Sequence, residues 1–333
     1  MDFFADVLTT ARKSPKRIVL SEGEDPRIAE GAARAHAEGI AQPVLVGRAD
    51  VVAERLSAAG ADPAAFEIVD PAAAARAEAY ATAFHELRKH KGVDEAAARA
   101  AMRDPLQFAA MMVRQGDGDG TIGGAVATTA DTVRAALQII GRAPGVKTVS
   151  SFFLMMLCEA HHPKQGVLVF ADCGLIVEPS VEELSQIAIS SADSFQALAQ
   201  ETPRIAMLSF STAGSAKHER VERVVAATEM VKSARPDLTV DGEIQFDAAF
   251  VPAISASKAP NSPLEGEANV LVFPGLEAAN IGYKIAQRIG GAKAVGPILQ
   301  GLARPANDLS RGCSADDVFH LIAVTSVQAA EIA

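Results

Sequence analysis

Near its carboxyl end the chain carries Asn307-Asp308-Leu309-Ser310-Arg311-Gly312-Cys313-Ser314-Ala315-Asp316-Asp317, a polar turn ahead of an apolar helical stretch. Arg311 offers a planar fork of donors, Ser310 adds a hydroxyl, and the start of the helix presents unpaired backbone N–H groups. Such a turn can hold an anion. A carboxylate close by could then move a proton. Asp317 has a structural reading as well, because Ser314 followed three residues later by Asp317 resembles a capping box with Asp in place of Glu. Cys313, beside Arg311 and a helix start, has the surroundings of an activated thiol.

Further basic residues could converge on an anion. Arg88, Lys89 and Lys91 close a helical stretch, where they also complement its carboxyl-terminal dipole. Arg134 lies in the amphipathic run Asp131 to Gln138, just after Thr128 and Thr129, which can cap that helix. Its alternative is an ion pair with Asp131 one turn back. Other motifs fail on spacing. Gly118-Asp119-Gly120-Thr121-Ile122-Gly123 has the letters of a dinucleotide fingerprint but follows a helical stretch, where the fingerprint requires a strand. Asp117, Asp119 and Thr121 begin like a calcium loop, yet Ile122 stands where Gly is required, so a tight turn is expected. His85 and His90 are five apart, where a zinc helix needs four. His161-His162-Pro163 reads as a surface turn, and no Walker loop or nucleophile elbow occurs.

The elements that must position these groups alternate between strands and helices. Strands are expected at 17–20, 43–46, 166–170, 205–208 and 270–273. Helices are expected at 26–37, 71–89, 95–102, 105–114, 129–140, 181–200, 219–234 and 277–289. This alternation predicts an α/β protein with mainly parallel sheets covered by helices. The 333 residues call for roughly two units of about 150 residues, with the first half ending around Ala143-Pro144-Gly145. The balance of 31 basic against 41 acidic residues, a net charge of -10, disfavours nucleic acid or an anionic membrane as partner. The acidic start Met1-Asp2-Phe3-Phe4-Ala5-Asp6 and the lack of a long apolar run argue against a secretory signal and a membrane span. Three widely spaced cysteines, Cys158, Cys173 and Cys313, fit a reducing cytoplasm.

The motifs together extend over nearly the whole chain. The run 307–312 is preceded by Gly296-Pro297-Ile298-Leu299-Gln300-Gly301-Leu302 and followed by Val324-Thr325-Ser326-Val327-Gln328-Ala329. With Ser21-Glu22-Gly23, Leu87 to Gly92, Ala130 to Ile140, Ser150 to Phe153, Asp241 to Asp247, Lys258-Ala259-Pro260 and Phe273-Pro274, the chain resembles the phosphate acetyltransferase (phosphotransacetylase) family. Two blocks depart from it. Thr121-Ile122-Gly123-Gly124 stands for the commoner Met-Val-Ala-Gly, and Gly275 to Asn280 for Asp-Leu-Asn-Thr-Gly-Asn; both bear on acyl-chain preference.

The resemblance implies two α/β domains of isocitrate/isopropylmalate dehydrogenase-like architecture with the active site in the cleft between them. They would comprise residues 1–144 plus 298–333, and 145–297, the latter carrying a homodimer contact. It implies reversible acetyl transfer between acetyl-CoA and inorganic phosphate, with coenzyme A as substrate, no tightly bound cofactor and no metal. Asp317 would be the base for the thiol, Ser310 and Arg311 would bind the phosphoryl or carbonyl oxygens, and Arg88 and Arg134 would bind anions. Thr129, Asn280 and Lys284 fall in matching blocks as further substrate-binding groups. The proton transfer is uphill, since reference values of about 3.9 for Asp and about 8.5 for a thiol leave a gap worth about 6 kcal/mol. Burial would raise Asp317, whereas Arg311 and the helix terminus would lower both groups. A phosphate butyryltransferase, the transferase-like tail of malic enzyme, a non-catalytic acetyl-phosphate-binding module and a metal- and NAD-dependent dehydrogenase of the same architecture are the alternatives.

Overall fold

The computed structural model describes residues 3–331. The chain runs through α1 (Phe3–Lys13), β1 (Lys16–Leu20), α2 (Pro26–Ala37), β2 (Ala41–Val46), α3 (Ala49–Ala58), β3 (Glu67–Val69), α4 (Ala77–Arg88), α5 (Glu95–Ala101), α6 (Pro105–Arg114), β4 (Gly120–Gly123) and α7 (Thr129–Ala135). There follow β5 (Ser150–Leu157), β6 (Gly166–Ala171), α8 (Val181–Ala199), β7 (Arg204–Leu208), α9 (Glu219–Ala234), β8 (Thr239–Ile244), α10 (Phe246–Phe250), α11 (Pro252–Lys258), β9 (Val270–Val272), α12 (Leu276–Arg288) and β10 (Lys293–Gln300). Finally come β11 (Ala306–Asp308) and α13 (Ala315–Glu331). Two compact units result, one of Phe4–Pro144 with the chain from Leu302 onward, the other of Gly145–Gly301.

In the first unit the sheet has the order β11-β4-β1-β2-β3, and every pairing is parallel. Its inner strand β1 buries Ile18, Val19 and Leu20 completely, as expected for a strand covered on both faces. α2 starts where Asp25 accepts from Arg27 N at 2.9 Å and Pro26 supplies a preset φ. It buries Ile28, Ala29, Ala32 and Ala35. α13 is tied to β11 through Asn307, whose Nδ2 donates to Thr325 Oγ1 at 2.9 Å and Gln328 Oε1 at 2.7 Å. The chain runs from β1 to β2 and β3 on one side, whereas β4 and β11 lie on the other. The direction of strand succession therefore reverses between β1 and β4, the topological position at whose carboxyl ends open α/β sheets place their ligands.

The second unit has the order β10-β5-β6-β9-β7-β8. β6, β9, β7 and β8 are parallel, whereas β5 runs antiparallel to both β6 and β10. Ile298–Gln300 pair with Ser150–Phe152, so the last residues of β10 belong to this sheet. The side chain of Gln300 joins three elements. Its Nε2 donates to Ser150 Oγ at 2.9 Å and Ser191 Oγ at 3.0 Å, and its Oε1 accepts from Ser194 at 3.0 Å.

Three local expectations need correction. The helix expected from residue 71 begins at Ala77, and the one expected over 129–140 is α-helical only to Ala135, with a wider π turn over Ala136–Ile140. Gly118–Gly123 is not merely a turn after a helix, because Gly120–Gly123 form β4, inside the sheet between β11 and β1. A strand of four residues with two glycines carries no alternating pattern. A Cβ on Gly120 would approach Thr325 Cγ2 to 2.8 Å, so the small residue lets α13 lie close to β4. The fingerprint still fails, because its glycines lie before and within the strand and not in the turn that opens a helix. The neighbouring acids are structural: Asp117 accepts from Arg76 and Tyr80, and Asp119 Oδ2 accepts from Arg17 N at 2.8 Å.

Candidate active site

Three loops meet at the carboxyl ends of β1, β4 and β11, all within the first unit. Glu22, after β1, takes three backbone N–H bonds from the loop after β4, from Ala125 (2.7 Å), Val126 (3.1 Å) and Ala127 (2.7 Å). Leu309 N, after β11, donates to Gly123 O at 2.7 Å. Gly124 has φ +94°, and a Cβ there would collide with the Asp308 carboxylate and lie 2.9 Å from Leu309 N. Only glycine fits this passage.

Arg27 staples the loops together with all five of its donors. Nε and Nη2 grip Asp25 at 2.9 and 2.8 Å, and Nη2 also donates to Ala125 O at 2.7 Å. Nη1 donates to Arg311 O at 2.8 Å and Cys313 O at 3.1 Å. The bond to Arg27 holds the Asp25 carboxyl below its ordinary range, against the opposing effect of burial. The backbone of the Ser310 turn is thereby clamped. Ser310 Oγ accepts from Gly312 N at 3.2 Å, and Ser310 O accepts from Cys313 N at 2.8 Å. Ser310 and Arg311 are exposed. The guanidinium of Arg311 has no side-chain partner among the described residues, which leaves a rigid turn with free cationic donors.

Asp317 sits at the third position of α13 and completes the capping box. Its Oδ2 accepts from Ser314 N and Ser314 Oγ, both at 2.8 Å, and its own N–H donates to Ser314 Oγ at 3.2 Å. Its Oδ1 is left without a hydrogen bond among the described residues. Asp316 turns away to pair with Arg34, whose guanidinium lies 4.5 Å from the Phe319 ring centre. Cys313 is buried, and burial pushes its thiol up, only partly opposed by Arg27 while Asp317, Asp25 and Glu22 add to the rise. That is the reverse of an activated thiolate.

Behind the turn lies Asp308, with 0% exposure. Neither carboxylate oxygen has a hydrogen-bond partner among the described residues. Burial pushes it up to about 6; the Thr129 and Thr132 hydroxyls nearby oppose the rise without reaching hydrogen-bond geometry, and the charge of Glu22 adds to it. Thr129 thus opens α7 beside this carboxylate. Thr128 is the cap of α7, accepting from Asp131 N at 3.2 Å. Arg134 Nη1 pairs with Asp131 Oδ1 at 2.6 Å on an exposed face, the alternative its spacing allowed. Arg88 ends α4 with a buried, unpartnered Nε. Neither arginine bonds to the Ser310–Asp317 turn.

Asn280 and Lys284 lie in the second unit and meet each other. Lys284 Nζ donates to Asn280 Oδ1 at 2.7 Å, and Asn280 Nδ2 to Cys173 O at 3.2 Å. The adjoining Asp172 is buried, and its Oδ1 accepts from Ser151 N (3.1 Å), Ser151 Oγ, Gly174 N (3.0 Å) and Leu175 N (3.3 Å). Its Oδ2 accepts from Ile176 N at 2.9 Å.

Residues 2–326 match the family model described as phosphate acetyl/butaryl transferase. The chain belongs to this family. It is 52% identical over 318 residues to the phosphate acetyltransferase of Paracoccus denitrificans, covering 96% of each chain. A phosphotransacetylase structure from Streptococcus pyogenes superposes with a TM-score of 0.93 at 43% identity, over 99% of this chain and 98% of that one. A chain described as a 4-hydroxythreonine-4-phosphate dehydrogenase from Salmonella typhimurium shares the fold alone, with a TM-score of 0.52 at 13% identity over 95% of this chain and 99% of that one. The protein is an acyltransferase of the phosphate acetyl/butaryl transferase family, with the dehydrogenase-like α/β architecture that the resemblance implied. Sequence reasoning gave no role to Arg27, Asp25 or Asp308. Asp25-Pro26 is a visible helix-start signal, and Asp308 stood in the quoted motif, but neither signal tells what the side chain would touch.

Proposed function

We propose that the protein catalyses reversible acetyl transfer between acetyl-CoA and inorganic phosphate, giving acetyl phosphate and coenzyme A. The near-complete alignment with a phosphate acetyltransferase carries this reading. The free guanidinium of Arg311 and the hydroxyl of Ser310 supply donors of the right kind for a phosphoryl group.

In the direction of acetyl-CoA synthesis, the thiol sulfur of coenzyme A forms a bond to the acetyl carbon. The thiol proton passes to Asp317, and the carbon–oxygen bond to phosphate breaks with the electron pair leaving on phosphate. Oδ1 of Asp317 takes the proton, since Oδ2 is committed to Ser314. Arg311 stabilises the phosphate oxygens, and Ser310 donates to the phosphate or to the carbonyl oxygen as it becomes tetrahedral. The donor is already activated, so the thiol attacks directly in a ternary complex and Cys313 takes no covalent part. Arg88 and Arg134, with Thr129, Asn280 and Lys284, bind the anionic portions of the two substrates. For Arg134 this requires exchange of its Asp131 partner. The protein acts as a cytoplasmic homodimer dimerised through residues 145–297, without a tightly bound cofactor, nucleic acid or membrane.

The test is phosphate-dependent release of free thiol from acetyl-, propionyl- and butyryl-CoA, without metal or nicotinamide. Release fastest from acetyl-CoA is expected. A preference for butyryl-CoA would make it a butyryltransferase, and ligand binding without release would make it a non-catalytic module.

A further inference from the structure

β11 ends in two polar residues on opposite faces. Asn307 is bonded to Thr325 and Gln328 of α13, whereas Asp308 lies fully buried against α7 and Gly124 with both oxygens unpartnered. A carboxylate so placed favours its neutral form, because burial shuts its charge away from water and the Thr129 and Thr132 hydroxyls oppose this only in part. It is also next but one to Ser310. The bond from Leu309 N to Gly123 O holds the short connection in place, so a charge on Asp308 cannot move away from the turn.

We propose that Asp308 is a positioning residue whose charge governs how tightly the adjoining Ser310–Arg311 turn holds an anion. The proposal rests on the anion-binding role given to that turn. Neutral Asp308 leaves the field of Arg311 undiminished; ionised Asp308 sets a negative charge behind the turn, in a region where burial weakens screening. The charged groups around it are already engaged. Glu22 is bound by three backbone N–H groups, Asp25 grips Arg27, and Asp131 pairs with Arg134 on α7. On α13, Asp316 pairs with Arg34 and Asp317 with Ser314, while His320 lies tilted against Phe4 with ring centres 4.1 Å apart. Burial raises Asp308 to about 6, so its charge changes within the range of an ordinary assay.

Phosphate changes its own charge near neutral pH, so sulfate, whose charge is constant there, is the probe. The measurement is the Ki of sulfate, as competitor of phosphate in the wild-type enzyme, between pH 5.5 and 7.5. The expected result is a weakening of about tenfold as the pH rises through 6, a size that one added charge produces at an effective dielectric of about 20. In Asp308→Asn the Ki is expected to stay at its low-pH value throughout. A flat wild-type profile overturns the proposal, and needs no variant. A sloping profile that survives in Asp308→Asn, or that Glu22→Gln abolishes in its place, also overturns it. Arg311→Lys is expected to weaken sulfate several-fold at every pH. An unchanged Ki there removes the anion site itself, and the proposal with it, while leaving any titration of Asp308 visible in the wild type.

Discussion

Asp172 and Asp308 each end or follow a strand at the carboxyl edge of its unit's sheet, both are buried, and burial pushes both upward. Their surroundings differ. Asp172 receives five hydrogen bonds from Ser151 and the backbone of residues 174–176, whereas Asp308 receives none. The first is an anchor that shapes the loop carrying Cys173 and, through it, Asn280. The second is fixed by its strand, leaves its carboxylate without a hydrogen bond, and sits behind the turn proposed to carry the chemistry. A buried acid without partners is costly in a folded protein, so its place beside the Ser310 turn is better matched to function than to stability.

The largest effect separates the two units by role. Asp317→Ala is expected to lower kcat about 10³-fold, in the range of a lost general base, with coenzyme A affinity retained in a binding titration. Unchanged turnover would return Asp317 to the helix cap that its bonds to Ser314 already make it. Next, Asp172→Ala leaves a hydroxyl and four backbone N–H groups without their acceptor, and should destabilise the fold by about 3 kcal/mol or more. In denaturant unfolding that loss would appear while kcat per folded molecule changes little. A fall in kcat without a fall in stability would erase the contrast with Asp308.

Asp308 should behave in the opposite sense. Its folded value of about 6 lies above the ordinary carboxylate value. Between about pH 4 and pH 6 the folded protein keeps a proton that the unfolded chain has lost, so stability falls as pH rises through that window. Asp308→Asn should remove this limb and be more stable above pH 6, by up to about 3 kcal/mol. Parallel stability curves for the two proteins would show that Asp308 ionises freely. The smallest effect is expected for Cys313→Ala. The thiol is buried and raised, the reverse of an activated nucleophile, so turnover should be nearly unchanged. Loss of activity with fold and ligand binding intact would revive a covalent mechanism.

Much of the alternating pattern was legible in the residues. α2, α6 and α9 begin and end where Pro26, Pro105 and the amphipathic run from Glu219 indicate, because caps and periodicity are local signals. β4, β10 and β11 were not legible. They are short or interrupted by Gly and Pro, and only their sheet neighbours make them strands. The same division holds at the site. Ser310, Arg311 and Asp317 are neighbours along the chain, and the Ser314–Asp317 spacing already implied the cap.

By itself the sequence determined the family, the helix-start chemistry of 314–317 and the cluster of hydroxyl, guanidinium and carboxylate in one turn, since all of these depend on residue type and short spacing. Tertiary structure alone decided that Arg27, some 284 residues upstream of Arg311, gives two of its donors to that turn. It also left Asp308 unpartnered and Asp172 saturated. Which donor meets which carboxylate depends on strands brought together across long stretches of chain, and two aspartates identical in the sequence acquire different chemistry from the atoms that folding places around them.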